Sequence, residues 1–131
     1  MNRDRLKILK SLLSNLDLYP NRVFNINYWY MDRPQDNKIL VDGLGMACLH
    51  PAFQSEGLGF NEKMEPVFQD KKFYQAAALF FDISVSNARK LFHPNYYDDW
   101  NSTPSETVVR INSLLKNGLV TNAFPRDWSF R

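Results

Sequence analysis

Four stretches of this chain repeat apolar residues at intervals of three and four, with turn-forming residues between them. Leu6, Leu9, Leu13 and Leu16 make the first stripe, which Ile8 and Leu12 widen. Phe73, Ala76, Ala77 and Phe80 make the second, and Val85, Ala88, Leu91 and Phe92 the third. Val108, Ile111 and Leu115 make the fourth. This spacing gives a helix one apolar face, so the chain must fold by packing several short amphipathic helices together.

The boundaries follow from capping chemistry. Asp4 favours the first turn of a helix over about residues 3 to 16, and Tyr19-Pro20-Asn21 ends it. Asp42 is an N-cap for a short helix through Gly43, Gly45, Met46, Ala47, Cys48 and Leu49, and Pro51 begins a further turn. Asp82 breaks the helix over 72–81, and His93-Pro94 stops the one over 85–92. Thr103-Pro104-Ser105-Glu106 reads as N-cap, N1 and N3 of a capping box, with Asn117-Gly118 as the stop. Phe24, Ile26 and Tyr28 alternate with Asn25, Asn27 and Trp29, which predicts a strand or extended segment over 23–31. Ile39 to Val41 predicts a second short strand, and Val67-Phe68 another within the loop 61–70. The expected fold is mainly α, with four to five helices and a minor β-hairpin or extended segment, in one compact domain over residues 1–131.

Composition narrows the function. Sixteen Lys and Arg against fourteen Asp and Glu leave a net charge of +2, too balanced for a polycation acting on nucleic acid or membrane. The lone Cys48 excludes an internal disulfide and a zinc site of paired thiolates, and His50 and His93 are too few for a three-histidine site. No cofactor or metal is expected. No stretch approaches the about 20 apolar residues that a membrane span requires, and the basic start lacks a signal-peptide cleavage site, so a cytoplasmic protein is expected.

Aromatic residues make up 15% of the chain. Phe24, Phe73, Phe80 and Phe92 fall at core positions, whereas Tyr28, Trp29, Tyr30, Tyr96, Tyr97, Trp100, Trp128 and Phe130 fall in extended, loop or tail segments. Their neighbours are Asn and Asp, not the basic residues that accompany base stacking, so these rings read as anchors of a protein interface. Two alternatives compete. The stretch from Ala78 to Leu91 has the spacing of a helix-turn-helix, with Ile83 in the turn, Ser84 as cap, and Asn87, Arg89 and Lys90 facing DNA; Asp82 stands where that motif usually has Gly. Cys48, near a helix start, with His93 as base, is the candidate pair for a cysteine hydrolase. The Asp98, Asp99 and Glu106 cluster reads as a solvated loop leading into the capped helix.

One resemblance spans residues 23–116. The run from Phe24 to Trp29, Gly43 with Ala47-Cys48, Phe53, Gly57-Leu58, Phe80-Phe81-Asp82-Ile83-Ser84 and the Thr103-Pro104 helix together resemble a family of small uncharacterised bacterial and phage proteins. That family carries an aromatic extended segment, a Cys-Gly-Thr-x-Ala-Cys-like turn, a Phe-Phe-Gly-Leu-Ser step and a capped Thr-Pro helix. This chain has Asp42 for the first Cys of the turn and Asp82 for the Gly of the step. The resemblance implies a shared fold, no activity, and a phage or mobile-element setting in which small proteins bind host or defence proteins. The favoured expectation is a non-enzymatic protein-binding module, its partner and oligomeric state left open.

Overall fold

The computed structural model describes residues 1–125; Trp128 and Phe130 lie outside the described residues. Helix α1 (Arg3–Ser14) carries the first stripe, with Asn2 as N-cap accepting from the Arg5 N–H. It ends two residues before the expected limit, and Leu16–Leu18 turn as a 3₁₀ segment. Strands β1 (Arg22–Phe24), β2 (Met31–Arg33) and β3 (Lys38–Val41) form a sheet of order β1-β3-β2, with β1 parallel and β2 antiparallel to β3. Helix α2 (Gly43–Leu49) starts on Asp42, and α3 (Pro51–Ser55) follows with Pro51 in its first turn. Strands β4 (Gly59–Phe60), β5 (Pro66–Phe68) and β6 (Lys71–Lys72) make a second antiparallel sheet. Helices α4 (Phe73–Phe81), α5 (Val85–Phe92) and α6 (Pro104–Asn117) complete the described chain.

The architecture is therefore mixed α/β, six helices and two three-stranded sheets among the described residues, instead of mainly α with one hairpin. Strands of two to four residues are too short to show the alternation that betrays a strand in sequence. The expected strand over 23–31 is also interrupted. Asn25 accepts the Asn27 N–H on its side chain and the Tyr28 N–H on its carbonyl, and this turn lifts the aromatic run out of the sheet.

Helix α2 lies at the centre, with Gly43 to Cys48 all buried. One core cluster surrounds it, drawing Leu6, Leu9 and Leu13 from α1, Phe80 and Phe81 from α4, Leu91 and Phe92 from α5, and Ile111 and Leu114 from α6. Phe53, Phe80 and Phe81 meet edge to face at centroid distances of 4.9 to 6.0 Å. Phe73, expected in this core, is only half-buried and turns toward Trp29 instead.

Helix ends explain much of the tertiary order. The final carbonyls of a helix lack intrahelical partners, and here distant groups supply them. Arg5 donates to Phe80 O (2.8 Å), the Asn2 N–H to Phe81 O (2.8 Å), and Arg3 to Leu115 O (2.8 Å). At the end of α5 the chain needs outside help, because Pro94 has no N–H to offer Lys90 O. Arg110 donates to that carbonyl at 2.8 Å, and the Tyr97 hydroxyl caps Leu91 O. In α6, Thr103 accepts the Glu106 N–H as expected, but Glu106 does not return the bond of a full capping box; its carboxylate binds Arg110 at 2.8 Å. Asp82 does take the left-handed conformation (φ 53°) that the α4–α5 turn demands, and Gly118 does the same after α6 (φ 77°).

Candidate functional site

The turn at Asn25 is what builds a site. Beyond it, residues 26–30 run over the start of α2, pinned at both ends by backbone bonds. The Asn25 N–H donates to Val41 O (2.8 Å), and the Asp42 N–H donates to Tyr28 O (2.7 Å). The Trp29 carbonyl then rests directly on Gly45, where an added Cβ would sit 2.0 Å from that oxygen. Only glycine permits this approach.

The pinned segment forms one wall of a cleft of about 390 Å³. Tyr28, Trp29 and Tyr30 line it together with Tyr74 and His93, and exposed Met64 and buried Asp42 are also in the lining. Met64 is held by an Asn61 turn, in which the Asn61 side chain accepts from the Lys63 and Glu65 N–H groups. Trp29 meets Tyr74 edge-on with ring centroids 6.2 Å apart, and the Tyr74 and His93 rings lie 5.2 Å apart. Behind them Trp29 stacks on Phe73 at 4.9 Å and 26°. Phe73 has a positive φ of 58°, a strained state for a bulky residue that costs of order 1–2 kcal/mol, and the stack offsets it.

A second, more open groove lies beyond Trp29 and Tyr74. Lys72, Phe73, Gln75, Val85 and Arg89 line it, with Asp70 at its edge. Trp29 and Tyr74 line both hollows.

Burial shifts the titratable groups around the cleft toward their uncharged forms. Asp42 is 1% exposed and accepts the Gly45 N–H at 2.7 Å. Burial drives its carboxyl well above the usual carboxylate range, against the pull of the Gly45, Leu44 and Asp42 N–H groups. Burial and then the nearness of Asp42 raise the Tyr74 phenol. Burial and then the Arg89 charge lower His93, which accepts the Asn95 N–H on Nδ1. The cleft thus presents aromatic faces together with titratable groups that burial biases toward the uncharged form.

The structure sorts the sequence-predicted residues clearly. Tyr28, Trp29, Tyr30 and His93 come together in the cleft. Trp100 is 80% exposed on a separate surface, beside half-buried Tyr96 in the hollow that Phe124 and Val109 also line. Tyr97 is not a surface ring: it is 1% exposed, its hydroxyl shared between Leu91 O and Thr107 Oγ1 (2.8 Å), with the Arg110 guanidinium 3.8 Å over its face. Burial pushes its phenol up to about 12.

Cys48 is not at a helix start but one residue before the end of α2, fully buried in the core. Burial and then Asp42 raise its thiol, the reverse of an activated nucleophile, and no hydrogen bond joins it to His93 or His50 among the described residues. The thiol is expected to resist iodoacetamide under native conditions and to react fully only in denaturant. Rapid native alkylation, followed by mass, would contradict this.

Asn87, Arg89 and Lys90 do not share one open face. Asn87 accepts the Val120 N–H and is tied to the segment after α6, while Arg89, about 200° around the helix, faces the second groove. Sequence reasoning missed Tyr74 and Met64, whose places depend on distant pairing, and read Asp42 only as the cap. No group of three His, Cys, Asp or Glu residues among those described is placed to hold a metal, and no described helix is long and apolar enough to cross a membrane. No protein family, curated protein or solved structure matches the chain.

Proposed function

We propose that this protein is a non-enzymatic binding module that grips another protein through the aromatic cleft over Asp42. The observation that carries the reading is the pinned Tyr28–Trp29–Tyr30 segment lining one cleft with Tyr74 and His93. A pre-formed hollow of about 390 Å³ suits one large side chain of a partner, and rings held in place lose little entropy on binding. Buried Cys48 makes no hydrogen bond to His93 or His50 among the described residues, so no nucleophile is paired with a base there, which favours binding over turnover. A host or defence protein as partner is the setting that the bacterial and phage resemblance implies.

The test uses the intact chain as bait in cells. Wild type and Tyr28→Ala bait are compared by quantitative mass spectrometry, with Leu18→Ala, an exposed change remote from the cleft, as control. One protein retained by wild type and control, and at least tenfold depleted with Tyr28→Ala, is the expected result. Direct binding of that protein, purified, must show the same loss. Equal retention by all three baits overturns the reading, as does a substrate turned over by the pure protein.

The α4–α5 hairpin sustains the second reading, helix-turn-helix DNA binding, through left-handed Asp82, buried Ala78 and Ala88, and the Ser84 cap on Asn87 N–H. It predicts duplex affinity that falls steeply with salt and with Arg89→Ala.

A further inference from the structure

We infer that the groove on the far side of Trp29 takes an acidic side chain of the partner, held by Arg89 next to the residue seated in the cleft. The inference rests on the cleft-binding reading and names the partner's chemistry there. Its starting point is charge that the fold leaves unused. Arg89 is exposed, and it enters none of the ion pairs among the described residues. Of the acids nearby, Glu65 lies 3.7 Å from Lys72, and Asp70, 83% exposed, lies 3.9 Å from Lys71.

Arg89 lines the groove beside Trp29, Phe73, Tyr74 and Val85, and its charge is felt at Tyr74 and His93. Its groove is walled by Trp29, Phe73 and Val85, and the exposed guanidinium is open to a carboxylate in a planar, two-bond pairing. Lys72 also lines the groove, its charge shared with Glu65, and the first turn of α4 contains no acid. The two hollows share Trp29 and Tyr74, so neighbouring residues of one extended segment reach both. The acidic class is favoured over a nucleic-acid backbone because a strand needs a track of cations, and this groove offers one cation that is unpaired among the described residues, Arg89, with Lys72 shared with Glu65 and Asp70 also in the lining.

The test is a chemical-shift titration of the full chain at low salt, read at the Trp29 indole. The probes are acetyl-Phe-Gly-Glu-amide and acetyl-Phe-Gly-Gln-amide, which differ only in charge. The Glu peptide is expected to bind about fivefold more tightly, and Arg89→Gln to abolish that difference while leaving the Gln peptide unchanged. Equal binding of both peptides to wild type overturns the acidic inference and leaves the cleft reading standing. Binding of neither overturns both. Tighter Arg89-dependent binding of inorganic phosphate or of a ten-residue oligothymidylate assigns the groove to phosphate and also overturns it.

Discussion

Gly45→Ala is expected to destabilise the protein by about 3 kcal/mol and to dismantle the cleft. The new methyl would sit 2.0 Å from the Trp29 carbonyl oxygen and 3.2 Å from Val41 Cβ. A backbone carbonyl cannot rotate aside as a flexible side chain does. The segment must move, which breaks the Asp42 N–H bond to Tyr28 O and pulls Trp29 from Phe73 and Tyr74. Urea unfolding followed by far-UV dichroism should show the lower midpoint, and the near-UV spectrum should lose intensity. Gly59→Ala is the control: nothing lies within 4 Å of its added Cβ, so its effect should stay within about 0.5 kcal/mol. Matching curves for the two variants would show that the contact of Trp29 with Gly45 does not hold the site together.

Arg110→Ala is expected to cost about 3 kcal/mol, with Arg110→Met costing about half of that. Arg110 is 2% exposed and does three things at once. It caps Lys90 O, binds Glu106 and covers the Tyr97 ring. Alanine leaves a cavity as well as an orphaned carbonyl. Methionine fills the space, and Glu106, still partly exposed, recovers water. The order of the two unfolding midpoints tests the assignment; an alanine variant within 0.5 kcal/mol of wild type would remove Arg110 from the framework.

Arg110 also illustrates why the sequence is only partly legible. On its own helix it is one charged residue next to Ile111, and nothing local predicts burial. Its role comes from Pro94, sixteen positions earlier, whose missing N–H leaves a carbonyl open at the end of α5. Tyr97 follows the same logic. A tyrosine in a polar loop reads as exposed, yet the Leu91 carbonyl and Thr107 hydroxyl draw it inward. The strands were hard to read for another reason. β1 and β3 are three and four residues long and sit next to each other only because the chain crosses between them.

Local chemistry was enough for the helices. The stripe of α1, the Asp42 and Thr103 caps, the Asp82 turn and the Gly118 stop all involve residues within about one turn of one another, where side-chain spacing and capping energies act regardless of the rest of the fold. The site was beyond that range. Tyr28, Trp29 and Tyr30 stood out in the sequence as rings without a core to fill, but what they face could not be read from their neighbours. Tertiary packing decided it: the Asn25 turn and the bare surface of Gly45 bring the segment down over α2, and α4 and α5 then place Tyr74, His93 and Arg89 against it. Backbone contacts between segments far apart in the chain set those positions, and a linear sequence states the residues without stating which distant surfaces will meet.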